Sequence, residues 1–197
     1  RQAADARLGL MQAQVAPHFL FNTLANVQAL VDIGSPQAPV VLRSLTAYLR
    51  AAVPQLHEAD TLEQEVRLVK AYLELMHMRM PDRLRYSLHV DASVHGLRCP
   101  AMTMLTLVEN AVRHGIDPAE DGGTIDISVE RLGERCLVRV TDTGVGFVHA
   151  GVPGTGLATL RERLALAFAG DAQLRLAARR PCGVCAEVEF PAMESTS

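Results

Sequence analysis

The residues able to do chemistry in this 197-residue chain fall into a few short segments. Glu109-Asn110-Ala111-Val112-Arg113-His114-Gly115 closes an apolar helical run. Asn110, Arg113 and His114 stand at i, i+3 and i+4 and so share one helix face. An amide oxygen there can ligate Mg²⁺, which prefers hard oxygen donors, and a guanidinium can meet phosphate oxygens. A plain polar face beside a Gly115 cap fits the same residues equally well. Asp142-Thr143-Gly144-Val145-Gly146 follows the strand-like Val138 and Val140. A carboxylate at a strand end can accept a hydrogen bond from an exocyclic amine, and Gly144 and Gly146 let backbone approach a flat ring. Taken alone, it is also an ordinary turn. Gly151-Val152-Pro153-Gly154-Thr155-Gly156-Leu157 leads glycine-rich backbone into a helix. Such backbone cradles phosphate and can close as a lid, although a flexible surface loop has the same composition.

A further candidate lies far from these, in Pro17-His18-Phe19-Leu20-Phe21-Asn22. The surrounding pattern predicts a helix from Ala3 to Ile33, bent at Pro17, where a backbone donor is missing. At about 100° per residue, Leu8, Met11 and Phe19 fall within about 40° of Val15, and Leu30 lies about 60° away. Asn22 and Asn26 interrupt that stripe beyond Phe19. His18 falls about 60° from its centre, a border position where a ring is partly packed yet reachable. Asn22, four residues on, shares its face and can orient a ring nitrogen. Neutral imidazole is a workable nucleophile. A lone histidine is more often a half-buried structural residue, so His18 gains weight only from its wider context.

The elements that must position these residues divide the chain. Residues 1–80 hold two glycines, Gly9 and Gly34, and twelve of the fourteen follow in 81–197. The first part reads as helices: after the first come Pro39–Ala52 and a third from Thr61 to Met80, with Thr61 and Gln64 as a capping box. No such helix can bury its stripe alone, which predicts a bundle or part of a dimer. Beyond Met80-Pro81-Asp82, strands are predicted at Arg85–Val90, Thr124–Glu130, Cys136–Thr141, Gln173–Ala177 and Val184–Phe190, with helices at Met102–His114 and Leu157–Phe168. Hairpins dominate this pattern, so the second part reads as an α+β sandwich and not a doubly wound sheet.

Composition is that of an ordinary globular chain, 49% hydrophobic and 21% charged. A net charge of −3 supplies no broad positive field, so nucleic acid is not an expected partner. Cys182-x-x-Cys185 has no second pair to complete a four-cysteine zinc site and reads as two small residues around a tight Gly183 turn. No apolar run reaches the ~18 residues that span a bilayer. The chain begins at Arg1 without Met and reads as a fragment.

The ordered set E-N-x-x-x-H, D-x-G-x-G and G-T-G-L before a helix resembles the GHKL ATPases over most of residues 81–197. That likeness implies a Bergerat-type sandwich holding ATP–Mg²⁺ under a mobile lid. Asn110 would hold Mg²⁺, Asp142 would read adenine, Gly144 and Gly146 would line the ring, and Gly154, Thr155 and Gly156 would belong to the lid. Arg113 and His114 would contribute beside the phosphates. P-H-F-L-F-N, Leu45-x-x-x-Leu49-Arg50, Leu62-x-x-Glu65, Tyr72-Leu73-Glu74, Arg79-x-x-Asp82-Arg83-Leu84 and Arg161-Glu162-Arg163-Leu164 resemble the LytS-type sensor histidine kinases nearly end to end.

The second resemblance implies a helical dimerisation and phosphoacceptor segment over residues 1–80 and a GHKL domain over 81–197. His18 would take the γ-phosphoryl group and pass it to an aspartate of a response regulator. It also implies a homodimer, and the cytoplasmic part of a protein anchored in an inner membrane by a segment outside this chain. Phe19 stands where many histidine kinases have an acidic residue, so the base would be water, Glu109 or no dedicated group. Pro81 replaces a usual glycine and Thr159 a frequent asparagine. The competing readings are a GHKL ATPase or serine kinase, which would form no phosphohistidine, and a nucleotide-binding pseudokinase.

Overall fold

A computed structural model describes residues 17–52, 61–149 and 155–195. Three helices come first: α1 Pro17–Asp32, α2 Ala38–Ala52 and α3 Leu62–Arg79. The expected helix over residues 3–16, with Leu8, Met11 and Val15 of its stripe, lies outside the described residues, as does the path of the chain into Pro17. Helix α2 packs on both α1 and α3. Its inward Val41, Leu45 and Tyr48 are buried, as are Leu62, Val66, Val69, Leu73 and Met76 of α3. The predicted capping box is formed: Gln64 N–H donates to Thr61 Oγ1 at 3.3 Å, and Thr61 N–H donates to Gln64 Oε1 at 3.2 Å. This satisfies donors that the first helical turn leaves without partners.

Phe19 of α1 turns inward. Its ring lies 5.3 Å from Tyr48 and 5.6 Å from Tyr72, the two tyrosines being 6.1 Å apart. Edge-on and tilted rings at such spacing add to plain burial. The opposite side of α1 is apolar and open, with Phe21, Leu24 and Val31 exposed, and Leu42 of α2 is exposed as well.

The second half is a five-stranded sheet in the order β1-β2-β3-β5-β4, from β1 Leu84–Val90, β2 Gly123–Leu132, β3 Arg135–Asp142, β4 Gln173–Ala178 and β5 Val184–Pro191. Pairs β2–β3, β3–β5 and β4–β5 are antiparallel, matching the expected hairpin pattern. Strand β1 instead runs parallel to β2, because the chain crosses between them through a helix. One sheet face is buried through Ile125, Ile127, Val129, Val138, Val140, Ala186, Val188 and Phe190. On the other, Arg139 pairs with Glu187 at 2.7 Å and Arg135 with Glu189 at 3.0 Å. Solvated pairs of this kind contribute at most about 1 kcal/mol each, so the apolar face carries the stability.

The crossover helix departs from expectation. In place of one helix over Met102–His114, α4 covers Thr103–Asn110 and a π-helical turn covers Ala111–Ile116. Asp117 N–H reaches back five residues to Val112 O at 2.8 Å. A π turn widens the helix and often accompanies a functional site. Here it swings Gly115 toward the end of β3, where Val145 N–H donates to Gly115 O at 3.2 Å. Helix α5, Thr155–Ala167, completes the layer over the sheet, with Leu160 and Leu164 buried.

Candidate functional site

Two polar segments of the second half, Glu109–Gly115 and Asp142–Gly146, meet at Asp142. Its carboxylate is buried at the end of β3, and Oδ1 accepts from Gly144 N–H at 2.8 Å. Burial raises its affinity for a proton, while the amides of Gly144 and Val184 and the charge of Arg179 oppose that rise. Three glycines make this packing possible. A β-carbon on Gly115 would fall 2.7 Å from Asp142 Oδ1, one on Gly144 2.2 Å from the Gly115 backbone, and one on Gly183 1.9 Å from Asp142 O. Gly183 also has φ +103, a conformation that side chains exclude. Gly146, at φ +74, follows in the same loop and faces the Gly183 backbone.

Asn110 ends α4 one turn before Gly115. Its Nδ2 is buried and makes no hydrogen bond. Leaving such a donor unpaired costs about 1–3 kcal/mol, which a hydrogen-bond acceptor such as a phosphate oxygen would offset. Glu109, half-buried beside it, has its carboxyl pushed up to about 7 by burial, against the pull of Arg113. Arg113 and His114 are both exposed on the π turn.

Helix α5 starts at Thr155. A β-carbon on Gly156 would lie 3.7 Å from Thr106 Cγ2, in ordinary contact with α4 one turn before Asn110. The helix that follows the glycine-rich loop therefore begins beside the Asn110 face. Gly154 and the loop before it lie outside the described residues, and of Thr155 only the backbone is described.

His18 sits in the first turn of α1; its side chain lies outside the described residues. Asn22 is exposed one turn on. These two are carried by a different element from the Asn110–Asp142 group. The link between them is the aromatic trio: Phe19 follows His18, and the hydroxyls of Tyr48 and Tyr72, already raised by burial, are raised further by the charge of Glu109. Glu109, at the end of α4, is thus near enough to both tyrosines for its charge to act on their hydroxyls.

Several residues do more in this architecture than their local pattern shows. Gly183, a turn by its sequence, packs directly against the Asp142 backbone. Arg83 spans the loop after the π turn, its Nη2 donating to the carbonyls of Ile116, Asp117 and Ala119 at 3.2, 3.0 and 2.7 Å. Arg79 pairs with Asp117 at 2.5 Å. Both arginines belong to the Arg79-x-x-Asp82-Arg83 motif, so their spacing was visible but their targets, more than thirty residues away, were not.

Two family models match successive parts of the chain. The family model described as "Histidine kinase" matches residues 6–84, and that described as "Histidine kinase-, DNA gyrase B-, and HSP90-like ATPase" matches residues 101–194. The sensor protein LytS of Oceanobacillus iheyensis is 29% identical over 87% of this chain and 32% of its own length. The sensor histidine kinase BtsS of Escherichia coli is 30% identical over 85% of this chain and 30% of its own length. The chain thus spans about a third of the curated relatives it matches. Among solved structures, the histidine kinase domain of the Erythrobacter litoralis EL346 blue-light activated histidine kinase aligns with a TM-score of 0.53 and 18% identity. It covers 98% of this chain and 96% of that one. A nucleotide-free catalytic domain of the histidine kinase ThkA gives the same TM-score over 68% of this chain and 96% of that one. At these identities the two structures speak to fold. With P-H-F-L-F-N at the start of α1 and a mixed sheet whose β3 ends at Asp142, the chain belongs to the LytS-type sensor histidine kinases, a histidine kinase helical segment joined to a GHKL-type ATPase domain.

Proposed function

We propose that this chain is the catalytic region of a two-component sensor kinase that phosphorylates His18 from ATP and passes the group to a response-regulator aspartate. The observation that carries the reading is the convergence of the Asn110 segment and the Asp142 loop. The buried Asp142 carboxylate abuts the bare α-carbon of Gly115, and one turn earlier the buried Nδ2 of Asn110 stands without a partner.

Asp142 is suited to accept a hydrogen bond from the exocyclic amine of adenine, with Gly144 and Gly146 giving the ring close backbone. Asn110 is suited to hold Mg²⁺ through its side-chain oxygen. When bound, Mg²⁺ neutralises phosphate charge. Arg113 and His114, exposed on the same segment, are available to phosphate oxygens, and Gly154, Thr155 and Gly156, the run into the first turn of α5, belong to the lid. Catalysis then consists mainly of positioning. A lone pair of the His18 ring forms the N–P bond while the bond from the γ-phosphorus to its bridging oxygen breaks. The leaving ADP takes the electron pair. The other ring nitrogen releases its proton to water or to Glu109, and Asn22 orients the ring.

Two copies pair through α1, and the exposed Phe21, Leu24 and Val31 give them an apolar face to bury. The domains divide near Met80-Pro81-Asp82. The protein works on the cytoplasmic side, joined to the membrane only through a segment outside this chain. The family context, in which a GHKL-type domain follows a segment matched as histidine kinase, favours this reading over a plain ATPase or serine kinase.

The test pairs binding with transfer. Asp142→Asn should weaken binding of a fluorescent ATP analogue about tenfold or more, the loss of one charge-assisted hydrogen bond. Labelled wild-type chain should lose its phosphoryl group to a response-regulator receiver domain. Unchanged affinity would remove the adenine role, and a label that no receiver accepts would remove the phosphorelay.

A further inference from the structure

Helix α3 braces the α4–π segment at both ends. Near the start of α3, Glu65 is 4% exposed and directs its carboxylate at the opening of α4. Met102 N–H donates to Oε1 at 2.7 Å and Met104 N–H to Oε2 at 2.9 Å. These are among the donors that a helix start leaves unsatisfied, and α4 has no side-chain cap of its own. Arg163 of α5 faces the same point and donates to the Ala101 carbonyl. At the far end of α3, Arg79 holds Asp117, the first residue past the π turn. Between the two ends, the Tyr72 ring packs on Phe19, the neighbour of His18.

Glu65 stabilises the opening of α4 by accepting from amides that would otherwise stand unpaired. The two directed bonds also set register. Apolar contacts between helices tolerate sliding, whereas a fork on two fixed amides sets α3 at one position along α4. Register matters in this enzyme because one end of α4 carries Glu109 and Asn110 and one face of α3 carries the contact to the acceptor helix. A misplacement of about 1 Å can cost ~10²-fold in rate.

We propose that Glu65 is a positioning residue for phosphoryl transfer, holding α3, and through Tyr72 and Phe19 the acceptor helix, in register with the nucleotide-facing end of α4. The role rests on the kinase reading above. Glu65 bonds the opening of α4, well before Asn110 at its other end, and the body of α4 is itself buried through Met104, Leu105, Leu107 and Val108. Nucleotide binding and transfer should therefore separate when Glu65 is changed.

The experiment measures, on the whole chain, affinity for an ATP analogue and the rate of phosphohistidine formation at saturating ATP, with thermal unfolding in parallel. Glu65→Gln keeps the volume but replaces one acceptor oxygen with a donor that opposes an N–H. It should leave affinity within about twofold while slowing transfer by about tenfold or more. Arg79→Gln, on an exposed pair whose loss leaves the fold intact, should slow transfer by a few-fold with the same separation and decides the matter if Glu65→Gln unfolds. Wild-type transfer rates in both variants, or losses that follow the unfolded fraction or the loss of affinity, would overturn the role of Glu65. A wild-type chain that forms no phosphohistidine would overturn the kinase reading and this role with it.

Discussion

The Asp142 carboxylate and the α-carbon of Gly115 are in contact with no room for a methyl group between them: a β-carbon at residue 115 would lie 2.7 Å from Oδ1 and 2.9 Å from Cγ. Asp142 cannot retreat easily, because Gly144 N–H holds the same oxygen at 2.8 Å. Gly115→Ala should therefore displace the carboxylate and cut nucleotide affinity by about tenfold or more, about 1.4 kcal/mol in binding. Titration with a fluorescent ATP analogue measures it. Full affinity in a folded Gly115→Ala chain would mean that the contact is irrelevant to the pocket.

Gly183 and Gly133 separate space from backbone conformation. Both have positive φ, +103 and +62, but an added β-carbon meets the Asp142 carbonyl at 1.9 Å in the first case and nothing within 4 Å in the second. Gly133→Ala should cost about 1 kcal/mol, the ordinary cost of a left-handed non-glycine residue. Gly183→Ala should cost at least about 2–3 kcal/mol and reduce nucleotide binding too. Urea unfolding of the two variants gives the comparison. Equal midpoints would show that the turn at Gly183 yields freely.

Glu65 gives stability a pH dependence with a definite sign. Burial pushes its carboxyl from 4.5 up to about 7, in spite of the amides of Met102, Met104 and Leu105 and the Arg163 charge facing it. The folded chain thus holds a proton that the unfolded chain releases between about pH 4.5 and 7. That contribution is complete at the acid end and fades as pH rises through 7. Its span is about 3 kcal/mol at 1.36 kcal/mol per unit. Glu109, also pushed up to about 7, adds a slope of the same sign. The Tm should fall between pH 5 and pH 8, and less steeply in Glu65→Gln. Parallel curves for the two proteins would show that Glu65 stays ionised throughout.

Elements with a local signature were legible in the sequence. The capping box at Thr61 and Gln64 needs only four residues, and the alternation of Val184, Ala186, Val188 and Phe190 against Glu187 and Glu189 shows which face is buried. The parallel seating of β1 was legible only in part: the helix expected over Met102–His114 separates it from β2 as a parallel crossover does, but which strand β1 joins is set by long-range pairing. The π turn was hidden, for Ala111–Ile116 has an ordinary helical pattern. Its wider turn accompanies a bond from Val145 N–H, thirty residues on, to Gly115 O. Glu65 looked like one polar residue of a motif, because its partners lie 37 and 39 residues further along the chain. Phe19 was correctly placed on an apolar stripe, yet it meets Tyr48 and Tyr72 of its own chain, and the apolar side left open carries Phe21, Leu24 and Val31 instead. Charge and apolar periodicity report which face is inward, not what that face will touch.

The central claim is that one imidazole of α1 takes phosphate from a nucleotide held by Asn110 and Asp142. Incubation with γ-labelled ATP, followed by acid and base treatment, tests it in wild-type, His18→Gln and Asn110→Ala chains side by side. The account predicts a label on the wild-type chain that is lost in acid and kept in base, absent from His18→Gln and reduced at least about a hundredfold in Asn110→Ala. An acid-labile label of undiminished strength on His18→Gln, or an acid-stable one on the wild type, would contradict it.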